Sequence, residues 1–178
     1  MRLVLAVPLL AGLVLAGCNA GDEPRSQQEA EEVARQMVKP RPGLYRSTSK
    51  LVSFEVPGMP PAQAEQMRQM FSTTAQGREY CLTPEEANQG MEGALKKLAE
   101  GQCSYDRFNA DGEALDAKLT CKTGQDMTAT IVMKGTMSAE GSQMKMEVEQ
   151  SAPGAPGGKG VKMAAEIASE RIGDCPRG

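Results

Sequence analysis

The sequence predicts an α+β domain in which a curved, half-barrel-like antiparallel sheet of about six or seven strands packs against two helices. Three observations lead to this fold class. The C-terminal half alternates apolar and polar residues between turn signals, and the middle of the chain contains two segments with apolar residues at helical spacing. Four cysteines besides Cys18 form an even set, which predicts two disulfides in an exported chain.

The domain is expected to begin at Gly43 with a long strand. Residues 44–56 are rich in β-forming side chains, and Val52, Phe54 and Val56 alternate with polar residues. A bulge is expected near Lys50-Leu51. Pro57-Gly58 ends the strand.

Two helices and a short strand follow. Pro60-Pro61 starts the first helix, and a second helix runs from Pro84 to a stop at Gly101. Thr83 and Glu86 have the spacing of a capping box at its start. The strand between the helices covers residues 78–82. The first helix places four apolar residues on one face: Ala64, Met67, Met70 and Phe71.

The remaining elements are predicted to be antiparallel strands. Asp111-Gly112 is typical of a hairpin turn, and residues 152–160 are a Gly- and Pro-rich loop. The last segment, 161–167, alternates like a strand, although its Ala and Glu content also suits a helix. The strands are expected at 103–109, 113–121, 127–134, 144–149 and 161–167, with one apolar face and one wet face.

The N-terminus has the pattern of an export signal followed by a lipid-attachment site. Arg2 precedes an apolar run, Leu3 to Leu15, which is short for a membrane span but suits a signal peptide. The run ends in Leu15-Ala16-Gly17-Cys18, which resembles the bacterial lipobox. This resemblance implies cleavage after residue 17 and acylation of Cys18, while Asn19 favours the outer membrane. We therefore expect a signal peptide at 1–17, a polar tether at 18–42, part of which suits a short surface helix, and one domain at 43–178.

Composition excludes several function classes. The chain has 178 residues, a net charge of −3 and no His, so imidazole-based catalysis and His-ligated metal sites are excluded. With no Trp, three Tyr and three Phe, aromatic stacking on nucleic acid is not expected. We expect no cofactor, no metal site and no nucleic-acid partner.

The cysteine spacing favours one disulfide pairing. In a hairpin centred on Gly112, Cys103 and Cys121 are equidistant from the turn, so their side chains meet across the strands. This leaves Cys81 to pair with Cys175. The alternative, a four-cysteine zinc site, lacks the Cys-x-x-Cys spacing that such sites use.

Several short segments together resemble an uncharacterised family of small exported bacterial proteins, often lipoproteins, known only as a domain of unknown function. The resemblance covers about residues 40–175 and implies an envelope location and structural disulfides, with no catalytic residues to carry over. The segments are Pro42-Gly43-Leu44-Tyr45, Cys81-Leu82-Thr83-Pro84-Glu85-Glu86-Ala87, Cys103-Ser104-Tyr105, Leu115-Asp116-Ala117 and Ile172-Gly173-Asp174-Cys175.

Four motifs suggest chemistry, and each has a structural alternative. Ser47-Thr48-Ser49-Lys50 and Lys122-Thr123-Gly124 match motifs of penicillin-binding enzymes, but a strand places Ser47 and Lys50 on opposite faces. Met144 and Met146 share a strand face, as in Cu(I) sites, although methionine also fills a core with few aromatics. Glu147 and Glu149 share the opposite face, where paired carboxylates are usually solvated.

We therefore expect a non-enzymatic lipoprotein that acts as a binding or interaction module in the periplasm. Its partner is expected to be an envelope protein or an apolar ligand. A carrier or sensor of a lipid-like molecule is the first alternative, and an inhibitor of an envelope-attacking hydrolase is the second. Met67, Met70 and Phe71 are the candidate ligand or partner surface, and plain packing on the sheet is their structural alternative.

Overall fold

The computed structural model of the chain describes residues 23–74, 77–100, 102–124, 126–151, 154 and 159–176. The predicted signal peptide at 1–17 and the lipidation site Cys18 lie outside the described residues. The same holds for most of the predicted loop at 152–160, whose last two residues already belong to a strand.

Seven strands of the described chain form one open antiparallel sheet, in the order β2-β1-β7-β6-β5-β4-β3. The first and last long strands, β1 and β7, pair with each other, so the two ends of the domain meet inside the sheet. The strands are β1 (Gly43–Glu55), β2 (Arg78–Leu82), β3 (Cys103–Asp111), β4 (Ala114–Gly124), β5 (Met127–Met137), β6 (Gly141–Ser151) and β7 (Lys159–Gly173).

Three helices of the described chain accompany the sheet: α1 (Gln27–Arg35), α2 (Pro61–Thr74) and α3 (Pro84–Glu100). They pack on the apolar side of the sheet, which we term the inner face. α1 and α3 contact each other and β3, whereas α2 contacts β1 at the other end of the sheet. The sheet therefore carries helices towards both ends of its strand order.

The fold class is confirmed: an α+β domain with an antiparallel sheet of seven strands and two disulfides. The last segment is a strand, as its alternation predicts, and β7 runs for 15 residues. The expected irregularity in β1 is a register shift between Leu51 and Ser53 opposite β7. Thr83 and Glu86 form the predicted capping box, because each side chain bonds the backbone N–H of the other residue.

The expected tether at 18–42 differs from the structure over residues 26–37. Ser26 caps α1 through a capping box with Glu29, and Ala30 and Ala34 are buried against the rest of the domain. Met37, just after the helix, is also buried. The short surface helix expected within the tether is thus a third helix, α1, that packs against α3 and forms part of the core.

The core lies at the β3–β4 side of the sheet, beneath α1 and α3. Tyr105 and Phe108 of β3 meet edge to face, with ring centroids 6.1 Å apart, and the Tyr105 hydroxyl donates to the Leu95 carbonyl oxygen. α3 changes direction at Gly90, whose φ of 52° a side chain would disfavour. The buried cluster comprises Ala30, Ala34, Met37, Leu95, Tyr105, Phe108, Leu115, Ala117, Leu119 and Cys121.

Candidate functional site

Helices fully cover the inner face of the sheet at β3 and β4 but not along its whole strand order. In β4, every second side chain from Leu115 to Cys121 points inward, and these four are at most 5% exposed beneath α1 and α3. This is the burial expected of a strand that forms the floor of a core. α1 and α3 therefore complete the core over β3 and β4.

The inner face of β6 and β7 has a different environment. Both strands are paired on both sides, so residual exposure of their inward side chains arises from the face itself. No described side chain of β6 or β7 is fully buried, although the inward residues are mostly apolar. We term this half-buried surface the open face; its apolar members are Leu51, Met144, Met146, Val148, Met163, Ala165 and Ile167.

Register places these residues in rows across the strands. Ile167 of β7 lies opposite Met144 of β6, and Ala165 lies between Leu51 and Met146 in the next row. Side chains of directly opposed residues are neighbours on one face. The open face is therefore a continuous apolar surface rather than a set of isolated exposed residues.

The predicted surface of Met67, Met70 and Phe71 lies on α2, beside the open face. The Phe71 ring packs on Phe54 of β1, with centroids 5.3 Å apart, but 43% of Phe71 stays exposed. Met67 is half-buried and Met70 is 67% exposed. The structure thus places the three residues along one helix without burying any of them fully, and α2 is only lightly attached.

The methionine pair of β6 belongs to the open face. Met144 and Met146 both point inward, as alternation predicts, and Met144 also touches the edge of the buried cluster. Within the described residues, no group of three or more Cys, Asp or Glu side chains is arranged to hold a metal ion. The methionines contribute flexible apolar surface, which adapts to irregular shapes.

The two motifs that match penicillin-binding enzymes lie in strands. Ser47 is opposite Ser169 on the inner face, whereas Lys50 is opposite Glu166 on the outer face, so the lysine cannot deprotonate the serine. Lys122, Thr123 and Gly124 form the end of β4. Neither motif is on a helix, where that chemistry places its serine and lysine one turn apart.

Glu147 and Glu149 are on the outer face, which is mostly polar on β5, β6 and β7. Glu149 pairs with Lys162 of β7 at 3.6 Å, and Lys145 pairs with Glu166 at 3.9 Å. These cross-strand ion pairs are exposed, and such pairs contribute little individually. The paired glutamates therefore belong to a solvated, charge-balanced face.

On the outer face, Asp116 of β4 is surrounded by a cluster of charged side chains. Arg107 of β3 donates to Oδ1 at 2.7 Å, and Lys134 of β5 lies 3.0 Å from Oδ2. Burial alone would raise the pKa of Asp116, but the hydrogen bonds from Lys134 and Arg107 outweigh it and lower the pKa below its ordinary value. The cluster ties three strands together through one ionised carboxylate.

A groove of about 660 Å³ crosses β1, β7, β6 and β5 between two rows of outer-face side chains. Lys50, Lys134, Lys145 and Glu166 belong to one of these rows. Lys145 and Glu166 are ion-paired there, and Lys134 is held by Asp116. Because three of its charged wall residues, Lys134, Lys145 and Glu166, are already ion-paired within the sheet, the groove is a weaker binding candidate than the open face.

Both disulfides form with the pairing that the hairpin spacing favours. Cys103 faces Cys121 in register, with Cα atoms 4.0 Å apart, at the edge of the buried cluster. Cys81 of β2 joins Cys175, just beyond β7, with a Cα separation of 5.5 Å. The second bridge fixes the C-terminal segment to the edge strand.

Among the described residues, no helix combines the length and the apolar character that crossing a membrane requires. A family model described as a protein of unknown function (DUF3617) matches residues 40–175, which is more than half of the chain. No curated protein and no solved structure is significantly similar to the chain.

Proposed function

The chain belongs to the DUF3617 family, and from this premise we propose that it is a non-enzymatic binding protein of the bacterial cell envelope. In this proposal, acylated Cys18 anchors the chain and the domain faces the periplasm. The open face is its binding surface. The observation that carries the proposal is the half-burial of an apolar strand face between two groups of helices.

The physical reason is the free energy of the uncovered surface. Apolar surface contributes about 25 cal/mol for each Å² removed from water, so several partly exposed apolar side chains in one patch favour an occupant. Contiguous exposed apolar patches typically mark binding sites. On the same sheet, the inward residues of β4 are buried, and this contrast distinguishes the open face from a poorly packed core.

A fluorescence titration tests the binding surface. The chain is exported with Cys18→Ser, so that it is purified without lipid, and titrated with the uncharged apolar fluorophore N-phenyl-1-naphthylamine. Met146→Lys introduces a charge into the centre of the open face and should weaken binding of this probe about tenfold. Gln143→Lys is the matched control: it adds the same residue to the same strand on the outer face and should leave binding unchanged.

The anchor is tested independently. Cells that express the chain are labelled with radioactive palmitate and then fractionated. The chain should carry the label and sediment with the outer membrane, and Cys18→Ala should abolish labelling. An unlabelled chain in the soluble periplasmic fraction would overturn the anchor while leaving the binding surface to the titration.

A second candidate function is docking of an envelope protein on α2, which the exposure of Met70 and Phe71 favours. Inhibition of an envelope-attacking hydrolase is one form of it. The variant Met70→Glu, which leaves the Phe71–Phe54 contact in place, should abolish such docking and reduce probe binding by less than about twofold. The reverse pattern, in which only Met146→Lys impairs function in cells, would exclude docking on α2.

A further inference from the structure

The open face changes polarity along the strands. At one end, Ser47, Ser169 and Ser142 lie side by side on β1, β7 and β6. The hydroxyl groups of Tyr80 and Ser169 are 3.0 Å apart at this end. Together with Ser49, which lies opposite Ile167 in the next row, these groups form a hydroxyl-lined end to a surface that is apolar on β6 and β7.

The opposite end is wholly apolar. Phe54, Met163 and Val148 occupy one row of β1, β7 and β6, and Phe71 of α2 lies over Phe54. This row and the serine row are six positions apart along β7, a distance of about 20 Å along a strand. One leaflet of a bilayer has an acyl layer of about 15 Å, so the open face has the length of an extended acyl chain.

A cation lies beside the hydroxyl end. Arg78 of the edge strand β2 is opposite Ser47, so its side chain belongs to the same face and the same row, and it is exposed. A guanidinium group next to hydroxyl donors matches a carboxylate better than a neutral or cationic group. The surface thus favours an anionic group at one end of the ligand and an apolar group at the other.

We propose that the open face binds a single-chain amphiphile with an anionic head, of the fatty-acid class. The carboxylate lies at Arg78 and the serine row, and the chain runs over Met144 and Met146 towards Met163. This proposal rests on the proposed function, because it assigns a ligand class and an orientation to the same binding surface. A lysophospholipid shares this chemistry in part, because it combines one acyl chain with an anionic phosphate in place of the carboxylate.

Spin-labelled stearic acids test the orientation. The exported Cys18→Ser chain carries ¹³C-methyl methionine, and two probes are compared, with the nitroxide near the carboxyl group or near the methyl end. The first should broaden the Met144 methyl signal at least twofold more than that of Met163, and the second should reverse this order. Met91 of α3, which packs on the buried cluster, serves as the internal reference.

The outcomes separate the two proposals. Equal broadening by both probes, or the reversed order, would overturn the orientation. Binding of the fluorescent probe that responds to Met146→Lys, without any effect of stearic acid, would overturn the fatty-acid class and leave the binding surface standing. If neither the fluorescent probe nor stearic acid bound, the two proposals would be overturned together.

The head-group contact has its own test. Arg78→Gln should weaken binding of the spin-labelled acid about threefold, because an exposed ion pair is worth a fraction of 1 kcal/mol. Binding of the corresponding methyl ester should not change. Arg46→Gln alters an arginine of the neighbouring strand on the outer face and should affect neither ligand. An equal loss for acid and ester in Arg78→Gln would exclude a carboxylate at this end.

A comparison with lysophospholipid distinguishes the two sources of the acyl chain. If the free acid is the ligand, stearic acid should displace the spin-labelled acid at least tenfold more effectively than a lysophospholipid of the same chain length. If the chain belongs to a larger lipid, the order should reverse. Displacement by neither would contradict an acyl ligand on this surface.

Discussion

The ring of Phe71 on α2 packs against the ring of Phe54 on β1, and this pair holds α2 on the sheet. Phe54 is nearly buried, whereas Phe71 is almost half exposed. Their contact therefore joins a buried residue of β1 to a partly exposed residue of α2. The position of α2 beside the open face depends on this pair.

Phe71→Ala should release α2 without unfolding the domain. An aromatic pair contributes about 0.5–1.5 kcal/mol, so we expect a loss of about 1 kcal/mol in the free energy of unfolding. Amide hydrogen exchange should accelerate in α2 and stay unchanged in β4. Phe108→Ala, in the buried cluster, should instead cost about 3–5 kcal/mol, and Met70→Ala should be neutral within about 0.5 kcal/mol. Unchanged exchange in α2 of Phe71→Ala would contradict the role of the ring pair.

The two disulfides should contribute unequally to stability. Removing Cys81–Cys175 as a double Ala variant opens a loop of 94 residues, against 18 for Cys103–Cys121. Loop-closure entropy predicts losses of about 4.7 and about 3 kcal/mol respectively. Urea denaturation of the two double variants measures the difference. A larger loss for the short loop would mean that packing of Cys121 in the buried cluster outweighs chain entropy.

Local patterns predicted the elements better than their arrangement. Alternation located the strands, and the symmetry about Gly112 paired Cys103 with Cys121, because a hairpin brings nearby residues together. The insertion of β7 between β1 and β6 is a pairing of distant segments, which periodicity does not specify. The sequence therefore predicted an apolar strand face but not which strands the helices leave uncovered.

The burial of α1, for which only a short surface helix within the tether was expected, had a signal of its own. Ser26 and Glu29 have the capping-box spacing, and Ala30, Val33 and Ala34 form an apolar stripe on a helix that is strongly amphipathic but polar on average. Polar composition favoured a tether, and tertiary packing against α3 and β3 outweighed it. Small residues suit this site because α1 lies close to its neighbours.

The candidate site was predicted in part. Alternation placed Met144 and Met146 on the apolar side, and helical spacing grouped Met67, Met70 and Phe71. The hydroxyl end of the open face was not predicted, because Ser47, Ser142 and Ser169 come from three strands that are far apart in the chain. Only the register of the folded sheet brings them into one row.

Ala30→Asp tests whether α1 belongs to the domain. Ala30 is completely buried, so the substitution would place an unpaired carboxylate in the core and should cost about 3 kcal/mol or more in the free energy of unfolding. Gln28→Asp introduces the same side chain on the exposed side of the same helix and should be neutral within about 0.5 kcal/mol. Urea denaturation of both variants decides the matter. If the two variants were equally stable, α1 would belong to a solvated tether and not to the core.

The Asp116 cluster predicts a specific pH dependence of stability. The pKa of Asp116 is lowered in the folded chain, so the folded state favours the ionised carboxylate more than the unfolded state does. Its contribution is therefore complete above the ordinary aspartate pKa of about 3.9 and disappears as the pH falls through the lower, folded value. Since the side chain is 38% exposed, solvent screening keeps this contribution below about 1 kcal/mol.

Asp116→Asn should remove this contribution while preserving the shape of the side chain. In urea titrations from about pH 6 to about pH 2, the native chain should be the more stable at the upper end, and the two curves should converge as Asp116 is protonated. Lys134→Gln, which removes one of the two cationic donors, should give an intermediate curve, because Arg107 still holds the carboxylate. A difference that persists unchanged to the lowest pH would show that Asn disturbs packing instead, and the carboxylate would then not be what ties β3, β4 and β5 together.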